Sequence, residues 1–144
     1  MNKGDSRSKS IKRVVIGLIA VALVSGIIFG VNYYLQVREY KKLISDISIS
    51  KVDLSSIPDG TYTGSYDAKM VAAKVQVVVS GHIITNIKIL SHKNERGKKA
   101  EKIVDEIKSS QSLNVDIISG ATNSSKVILQ AVQNALASAK KNNL

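Results

Sequence analysis

The feature that most restricts the fold of this chain is an uncharged apolar run near its start. Residues 14–31, with the sequence VVIGLIAVALVSGIIFGV, carry no charged side chain over 18 positions. As an α-helix this run would extend about 27 Å, close to the hydrocarbon core of a bilayer at about 30 Å. With Tyr33, Tyr34 and Leu35 after it, the sequence predicts a transmembrane anchor over residues 14–35.

The net charge of +10 is unevenly distributed: residues 1–13 carry +4, residues 32–57 carry +1 and residues 58–144 carry +5. Basic side chains before the span predict a cytoplasmic tail over residues 1–13 and place everything after the span outside the cytoplasm. A cleaved secretory signal shares this basic start. The small residues that cleavage would need lie inside the apolar run, which favours a retained anchor, and both interpretations export the remaining chain.

Composition excludes several kinds of chemistry. The chain has no cysteine, which excludes disulfides, thiolate-held iron–sulfur clusters and covalent haem attachment. With one Phe and no Trp it has no base-stacking pattern, so nucleic-acid binding is not expected. His82 and His92 are far apart in sequence and predict no metal site. No nicotinamide-binding motif, P-loop or Ser/His/Asp set is present, so no catalytic residue is predicted.

Residues 36–57 form a predicted juxtamembrane linker. Tyr40, Leu43, Ile44 and Ile47 are spaced as i, i+3, i+4 and i+7, the pattern of one face of a helix. This segment is predicted to be either an amphipathic helix at the membrane surface or a solvated stalk. A Pro-Asp-Gly sequence starting at residue 58 marks the expected beginning of the folded domain, which extends to residue 144.

The domain alternates between strand and helix patterns. β-branched residues with period-two alternation predict strands over residues 61–66, 71–79 and 83–90, with a hairpin turn at Ser80-Gly81. Helical spacing follows from about Asn94, then a short strand over residues 115–118, then a final helix. The predicted fold class is α+β: a small antiparallel β-sheet covered by two helices and preceded by one N-terminal transmembrane helix.

The stretch DIISGATNSSK, residues 116–126, lies between the last apolar run and the final helix. The start of a helix has unpaired backbone N–H groups and the positive end of the helix dipole, so it suits a phosphate. Thr122 is expected at the entrance of this helix with an exposed hydroxyl. An ordinary capped helix start, with Ser119 or Thr122 as the N-cap, would give the same local pattern.

The stretch also fits a longer motif of an Asp, a Ser, Gly-Ala-Thr and a further Ser, here Asp116, Ser119, Gly120, Ala121, Thr122 and Ser124. This motif resembles the signature of the covalently flavinylated FMN-binding domain family, which includes the flavin subunits of Rnf and sodium-translocating NADH:quinone reductase complexes. The resemblance extends over about residues 59–139 and includes DGTYTGSY and ILSHKNERG. It implies FMN esterified through its phosphate to Thr122 by a separate, metal-dependent flavin transferase that uses FAD.

Other residues are expected to support the cofactor. The N–H groups of residues 122–125, including Ser125, and the Lys126 amine could compensate the phosphate charge. Asp116 would either fix the turn or be recognised by the transferase. For the flavin ring, Tyr62 and Tyr66 are candidates for stacking and His92 or His82 for polar contact; sheet packing for the tyrosines and solvated turns for the histidines are the alternatives.

A basic group precedes and enters the first helix of the domain: Lys93, Arg96, Lys98, Lys99 and Lys102. It is interpreted as a solvated helix face that could dock an acidic redox partner. Together with the resemblance, these features favour a single-span extracytoplasmic electron carrier over a stand-alone enzyme, and the resemblance implies FMN, the membrane, a flavin transferase and redox proteins as partners. The alternatives are a non-redox anchored binding or assembly module without flavin, and a reductase acting directly on a small substrate.

Overall fold

The computed structural model describes residues 3–94 and 96–141. The first two residues of the predicted tail and the last three of the predicted domain lie outside this range. The chain divides into two compact units, residues 1–38 and residues 39–144. Helix α1, Lys3–Ser45, contains the whole apolar run, and it is the one helix among the described residues that is long and apolar enough to cross a membrane.

Apolar side chains on the first part of α1 are exposed all around the helix. Leu18, Phe29 and Val31, for example, are all exposed. A helix that is apolar on every face needs an apolar environment on every face. The structure therefore agrees with the composition of a membrane-spanning helix.

The second unit is an α+β domain. Three strands, β1 Gly60–Asp67, β2 Ala72–Ser80 and β3 Ile83–Lys93, form an antiparallel sheet in the order β1-β2-β3. Two longer helices follow, α2 Ile103–Ser110 and α3 Thr122–Lys141, and two 3-10 helices cover Leu54–Ser56 and Gly97–Lys102. Helix α3 packs across β1 and β2, and α2 packs beside β3. The predicted fold class is confirmed.

The β2–β3 hairpin follows directly from the sequence. Val75, Val77 and Val79 are buried, while Lys74 just before them is exposed and Gln76 is only partly buried, as expected for a sheet with one face on the core. The strands join through a two-residue turn, Gly81-His82, one residue later than the predicted Ser80-Gly81 because Ser80 still belongs to β2. Both turn residues have positive φ. Such a turn matches the twist of the flanking strands.

Helix α3 lies very close to the sheet at Gly64. A Cβ atom at this position would be 2.2 Å from the Ala131 carbonyl oxygen and 2.2 Å from the Ala135 nitrogen. Small residues on both sides allow this approach, and the fully buried Val127, Val132 and Leu136 of α3 complete the core on either side of it. The contact fixes the position of α3, whose first turn carries the site described below.

The compact unit begins earlier than the sequence pattern indicates. It starts at Glu39, within the predicted linker. The apolar stripe of that segment packs on the core of its own domain, with Ile44 and Ile57 buried and Leu43 and Ile47 partly buried. Sequence periodicity shows that a helix has an apolar face but does not show which surface covers it.

The strand predicted over residues 115–118 is wrong, since this segment is a loop. Its backbone bonds locally: the Ile118 N–H donates to the Ser125 hydroxyl at 3.3 Å, and the Ile118 carbonyl accepts from Ala121 at 3.0 Å. Ile117 is exposed. The apolar run therefore serves as the lead-in to α3, without pairing to the sheet.

Candidate functional site at the start of helix α3

A tight turn sets the start of α3. The Ala121 N–H donates to the Ile118 carbonyl at 3.0 Å, and Gly120 adopts a φ of +74° inside this turn. That left-handed conformation favours glycine. The Ser125 N–H then donates to the Ala121 carbonyl at 2.9 Å, so the first helical residue is Thr122, and it is exposed.

Three backbone donors at this helix end are available. Among residues 3–94 and 96–141, no oxygen accepts a hydrogen bond from the N–H groups of Thr122, Asn123 or Ser124. Unpaired N–H groups at the first turn, together with the helix dipole, form a favourable position for an anion.

Ser125 supports this turn from its buried side. Its side chain is fully buried and its hydroxyl accepts the Ile118 N–H at 3.3 Å. Ser125, one of the predicted cofactor residues, joins the loop before α3 to the first turn of the helix. Its position suits a structural role at the site.

A cavity of about 420 Å³ lies beside this turn. That volume is within the range of about 300–1,000 Å³ typical of small-molecule sites. The residues that line it are Tyr40, Met70, Val71, Arg96, Gly97, Gly120, Ala121, Thr122, Asn123 and Ser124. The exposed Thr122 and its available N–H groups therefore border a space large enough for a ligand.

The 3-10 helix Gly97–Lys102 forms another part of the wall by close contact with α3. A Cβ on Gly97 would lie 1.9 Å from the Ser124 Oγ and 2.6 Å from the Ser124 Cβ. Only glycine fits this contact without movement of one of the two helices. Gly97 thereby brings the basic segment of the 3-10 helix against the first turn of α3.

Two cations are placed at the turn by that contact. Arg96 lines the cavity, and the Lys99 Nζ lies 3.5 Å from the point where a Cβ on Gly120 would be. Their charges are suitably placed to compensate a phosphate bound at the N–H groups. The sequence showed these residues only as a basic helix face, because the turn they approach is more than 20 positions away.

The predicted motif residues separate into two groups. Gly120, Ala121, Thr122 and Ser124 line the cavity, while Ser119 and Lys126 do not. Ser119 is an exposed turn residue and Lys126 is partly buried on α3.

Asp116 lies apart from the cavity that Thr122 borders. It is exposed and lines a second cavity of about 570 Å³ together with Asp105 and Glu106. Within the described part of the chain its carboxylate accepts no hydrogen bond, whereas the Ser125 hydroxyl accepts one from the loop before α3.

The predicted ring contacts are also elsewhere. The Tyr62 hydroxyl donates to the Pro58 carbonyl at 2.9 Å and the Tyr66 hydroxyl to the Leu43 carbonyl at 2.9 Å. Neither tyrosine lines the cavity. Both pack on the sheet face that carries Gly64 and the core.

Tyr66 has a perturbed ionisation. Burial and, to a smaller extent, the negative charge of Asp46 raise the pKa of Tyr66 above its usual 10.0. The neutral phenol, which can donate to Leu43, is therefore favoured in the folded chain.

His92 and His82 do not line the cavity either. The His92 side chain is only 2% exposed and its Nδ1 lies 3.1 Å from the Glu101 Oε1. Its Nε2 has no hydrogen-bond partner among the described residues. The His82 Nδ1 lies 3.2 Å from the Ile57 carbonyl oxygen, at the hairpin turn.

Sequence reasoning missed four lining residues, Tyr40, Met70, Val71 and Gly97, and included Asn123 only through its backbone N–H. Asn123 follows the predicted acceptor directly, so its proximity could have been inferred. Tyr40 belongs to the apolar stripe of α1, and only the packing of that stripe on the domain brings it to the site.

Comparison with known proteins agrees with this geometry. Residues 68–137 match the model of a family described as FMN-binding domain. No curated protein matches the chain. The matched range contains every residue that lines the cavity except Tyr40. Over residues 68–137 the chain is therefore similar to the FMN-binding domain family.

Proposed function

We propose that the chain is a membrane-anchored flavoprotein that carries FMN on Thr122 through a phosphoester and moves electrons outside the cytoplasm. The observation that carries the proposal is the exposed Thr122 at the first position of α3, beside a cavity within residues matched to an FMN-binding family. Bound FMN would supply the redox chemistry, and the protein would tether and orient it.

The site has what the phosphate of FMN requires. The N–H groups of Thr122, Asn123 and Ser124 would donate to its oxygens, and Arg96 and Lys99 would compensate its charge. Attachment forms a bond between the Thr122 Oγ and the FMN phosphorus of FAD. The bond from that phosphorus to the AMP part breaks, and the hydroxyl proton is released.

A separate transferase is part of the proposal because a threonine hydroxyl is a poor nucleophile without an adjacent base. Neither histidine lines the cavity. The small side chains of Gly120 and Ala121 leave the approach to Thr122 open, as an external enzyme would need. The chain is then a substrate of the transferase before it becomes an electron carrier.

The attachment is tested by producing the full chain with an active flavin transferase and comparing it with the Thr122→Val variant. Flavin fluorescence that stays with the denatured wild-type chain and is absent from the variant would support the proposal. Thr63→Val, at an exposed position on β1, is the matched control and should retain the flavin. A wild-type chain without flavin would favour a non-redox anchored module.

Membrane topology is proposed from the basic residues before the apolar run. Since the chain has no cysteine, a single Ser109→Cys substitution at an exposed position of α2 provides a unique label. A membrane-impermeant maleimide should label it in intact cells once any outer barrier is permeable. Labelling only after the inner membrane is broken would reverse the proposed orientation.

Electron transfer is tested in membranes that contain the flavinylated full chain. Reduction of an external acceptor such as ferricyanide should be faster than with membranes containing the Thr122→Val chain. Equal rates in the two membranes would contradict the proposed electron-carrier role but would not contradict flavin attachment. Turnover of a small substrate by the purified chain alone would instead indicate a reductase.

A further inference from the structure

One wall of the cavity comes from outside the family match. Tyr40 lines the cavity with Thr122 and Asn123, although the match begins at residue 68. Tyr40 is carried by α1, the helix that also contains the apolar run. Among the described residues that line the cavity it is the one aromatic side chain.

Tyr40 is held by a hydrogen bond at its hydroxyl and by the packing of the neighbouring residues of α1. Its hydroxyl accepts a hydrogen bond from the Asn123 side-chain amide at 2.6 Å, which joins it to the residue after the proposed attachment point. One turn further along α1, Ile44 is buried in the core, and the Leu43 carbonyl accepts from the Tyr66 hydroxyl at 2.9 Å. Tyr40, itself partly buried against the core, is therefore positioned beside Asn123 by its own hydroxyl and by the packing of α1.

The bond to Asn123 leaves chemistry available at Tyr40. The amide donates to an oxygen lone pair, so the hydroxyl proton of Tyr40 can still be donated to a ligand. Met70 and Val71 add apolar surface to the same lining. A flat aromatic cofactor needs such a combination of an aromatic face, apolar neighbours and a polar group.

We infer that Tyr40 contacts the isoalloxazine ring of the bound flavin, so that the membrane-proximal helix supplies the aromatic side of the cofactor site. The inference rests on the proposed attachment of FMN to Thr122. It assigns to Tyr40 the ring contact that the sequence suggested for Tyr62 and Tyr66, both of which have their hydroxyls bonded to the backbone away from the cavity. The binding site then includes a residue of the second unit that lies before the family match.

The test uses the full chain, flavinylated by the transferase, with Tyr40→Phe, Tyr40→Leu and Tyr40→Trp variants. A tyrosine or tryptophan in contact with an excited flavin quenches its fluorescence by electron transfer, whereas phenylalanine and leucine do not. Tyr40→Phe and Tyr40→Leu should raise the fluorescence lifetime of the attached flavin several-fold, and Tyr40→Trp should restore the quenching. Tyr62→Phe is the control and should leave the lifetime unchanged.

The outcomes separate this inference from the proposed function. If the flavin is attached in every variant and its lifetime does not depend on residue 40, Tyr40 is not a ring contact and the inference fails alone. If the wild-type chain carries no flavin, the proposed function fails and the inference fails with it. A purely structural role for Tyr40 would not make the tryptophan variant quench while the phenylalanine variant does not. Should Tyr40→Leu fail to fold, the phenylalanine and tryptophan pair is sufficient.

Discussion

The buried hydroxyl of Ser125 lies 3.3 Å from the backbone nitrogen of Ile118 and accepts its hydrogen bond. This contact connects the loop before α3 to the interior of the first helical turn. It holds the Gly120 turn in the position that exposes Thr122. The site therefore depends on a residue that does not line the cavity.

The Ser125→Ala substitution should destabilise the chain by about 1–3 kcal/mol, because it leaves the Ile118 N–H without its acceptor. We also expect slower flavin attachment, since the turn before Thr122 would be less ordered. Urea unfolding of the flavin-free chain in detergent measures the first effect. Ser109→Ala, on the exposed face of α2, should change the free energy of unfolding by no more than about 0.5 kcal/mol. Equal effects of the two substitutions would contradict the role of Ser125.

The close contact between Gly97 and Ser124 gives a second prediction. Gly97→Ala would place a Cβ 1.9 Å from the Ser124 Oγ, and overpacking of this kind costs about 1–3 kcal/mol. Because the movement displaces Arg96 and the first turn of α3, the fraction of chain that becomes flavinylated should also fall.

A compensating substitution tests the cause. Ser124→Gly removes both nearby atoms and alone costs about 1 kcal/mol as a glycine within a helix. In the double variant the two costs should be clearly less than additive. Strict additivity would show that the contact is not the reason for the glycine.

Asp116 gives a prediction that separates recognition from stability. Its exposed carboxylate accepts no hydrogen bond in the described part of the chain, so Asp116→Asn should change the free energy of unfolding by no more than about 0.5 kcal/mol. If the transferase recognises this carboxylate, the rate of flavin attachment falls. Asp105→Asn, in the same cavity but outside the motif, should leave both quantities unchanged. A destabilisation well above that limit would instead indicate that Asp116 fixes the turn.

The raised pKa of Tyr66 predicts a pH dependence at alkaline pH. Because the folded chain binds this proton more tightly than the unfolded chain, the contribution to stability is complete below pH 10.0 and is lost as pH rises through the raised pKa. The difference in unfolding free energy between wild type and Tyr66→Phe should therefore decrease above pH 10.0. Asp46→Asn should shift this decrease to lower pH. A difference that stays constant with pH would contradict the assignment.

Local patterns in the sequence predicted most of the fold. Alternation over residues 71–79 and 83–90 predicted the hairpin because one face of that sheet packs on a core and the other is solvated. The same reasoning failed at residues 115–118, where a short apolar run bonds to Ser125 and Ala121 instead of to a strand. In so short a segment, the spacing of apolar residues and the composition do not distinguish a paired strand from an apolar loop.

The candidate site was predictable only where its residues are contiguous. The turn at Gly120 and the exposed Thr122 were expected from the motif. Arg96 and Tyr40 come from segments that are distant in sequence. The close contact of Gly97 with Ser124 places Arg96 at the site, and the packing of Ile44 in the core places Tyr40 there. Tyr62 was a reasonable ring candidate by residue type, but its face of β1 packs on the domain.

The most direct test of the central claim is the intact mass of the full chain, produced with an active flavin transferase, followed by peptide mapping. We expect the added mass of one esterified FMN, located on the peptide that contains Thr122 and lost in Thr122→Val. A chain without added mass, under conditions in which the same transferase modifies an established acceptor domain, would contradict covalent flavinylation. An addition on any other residue would contradict the assignment of Thr122.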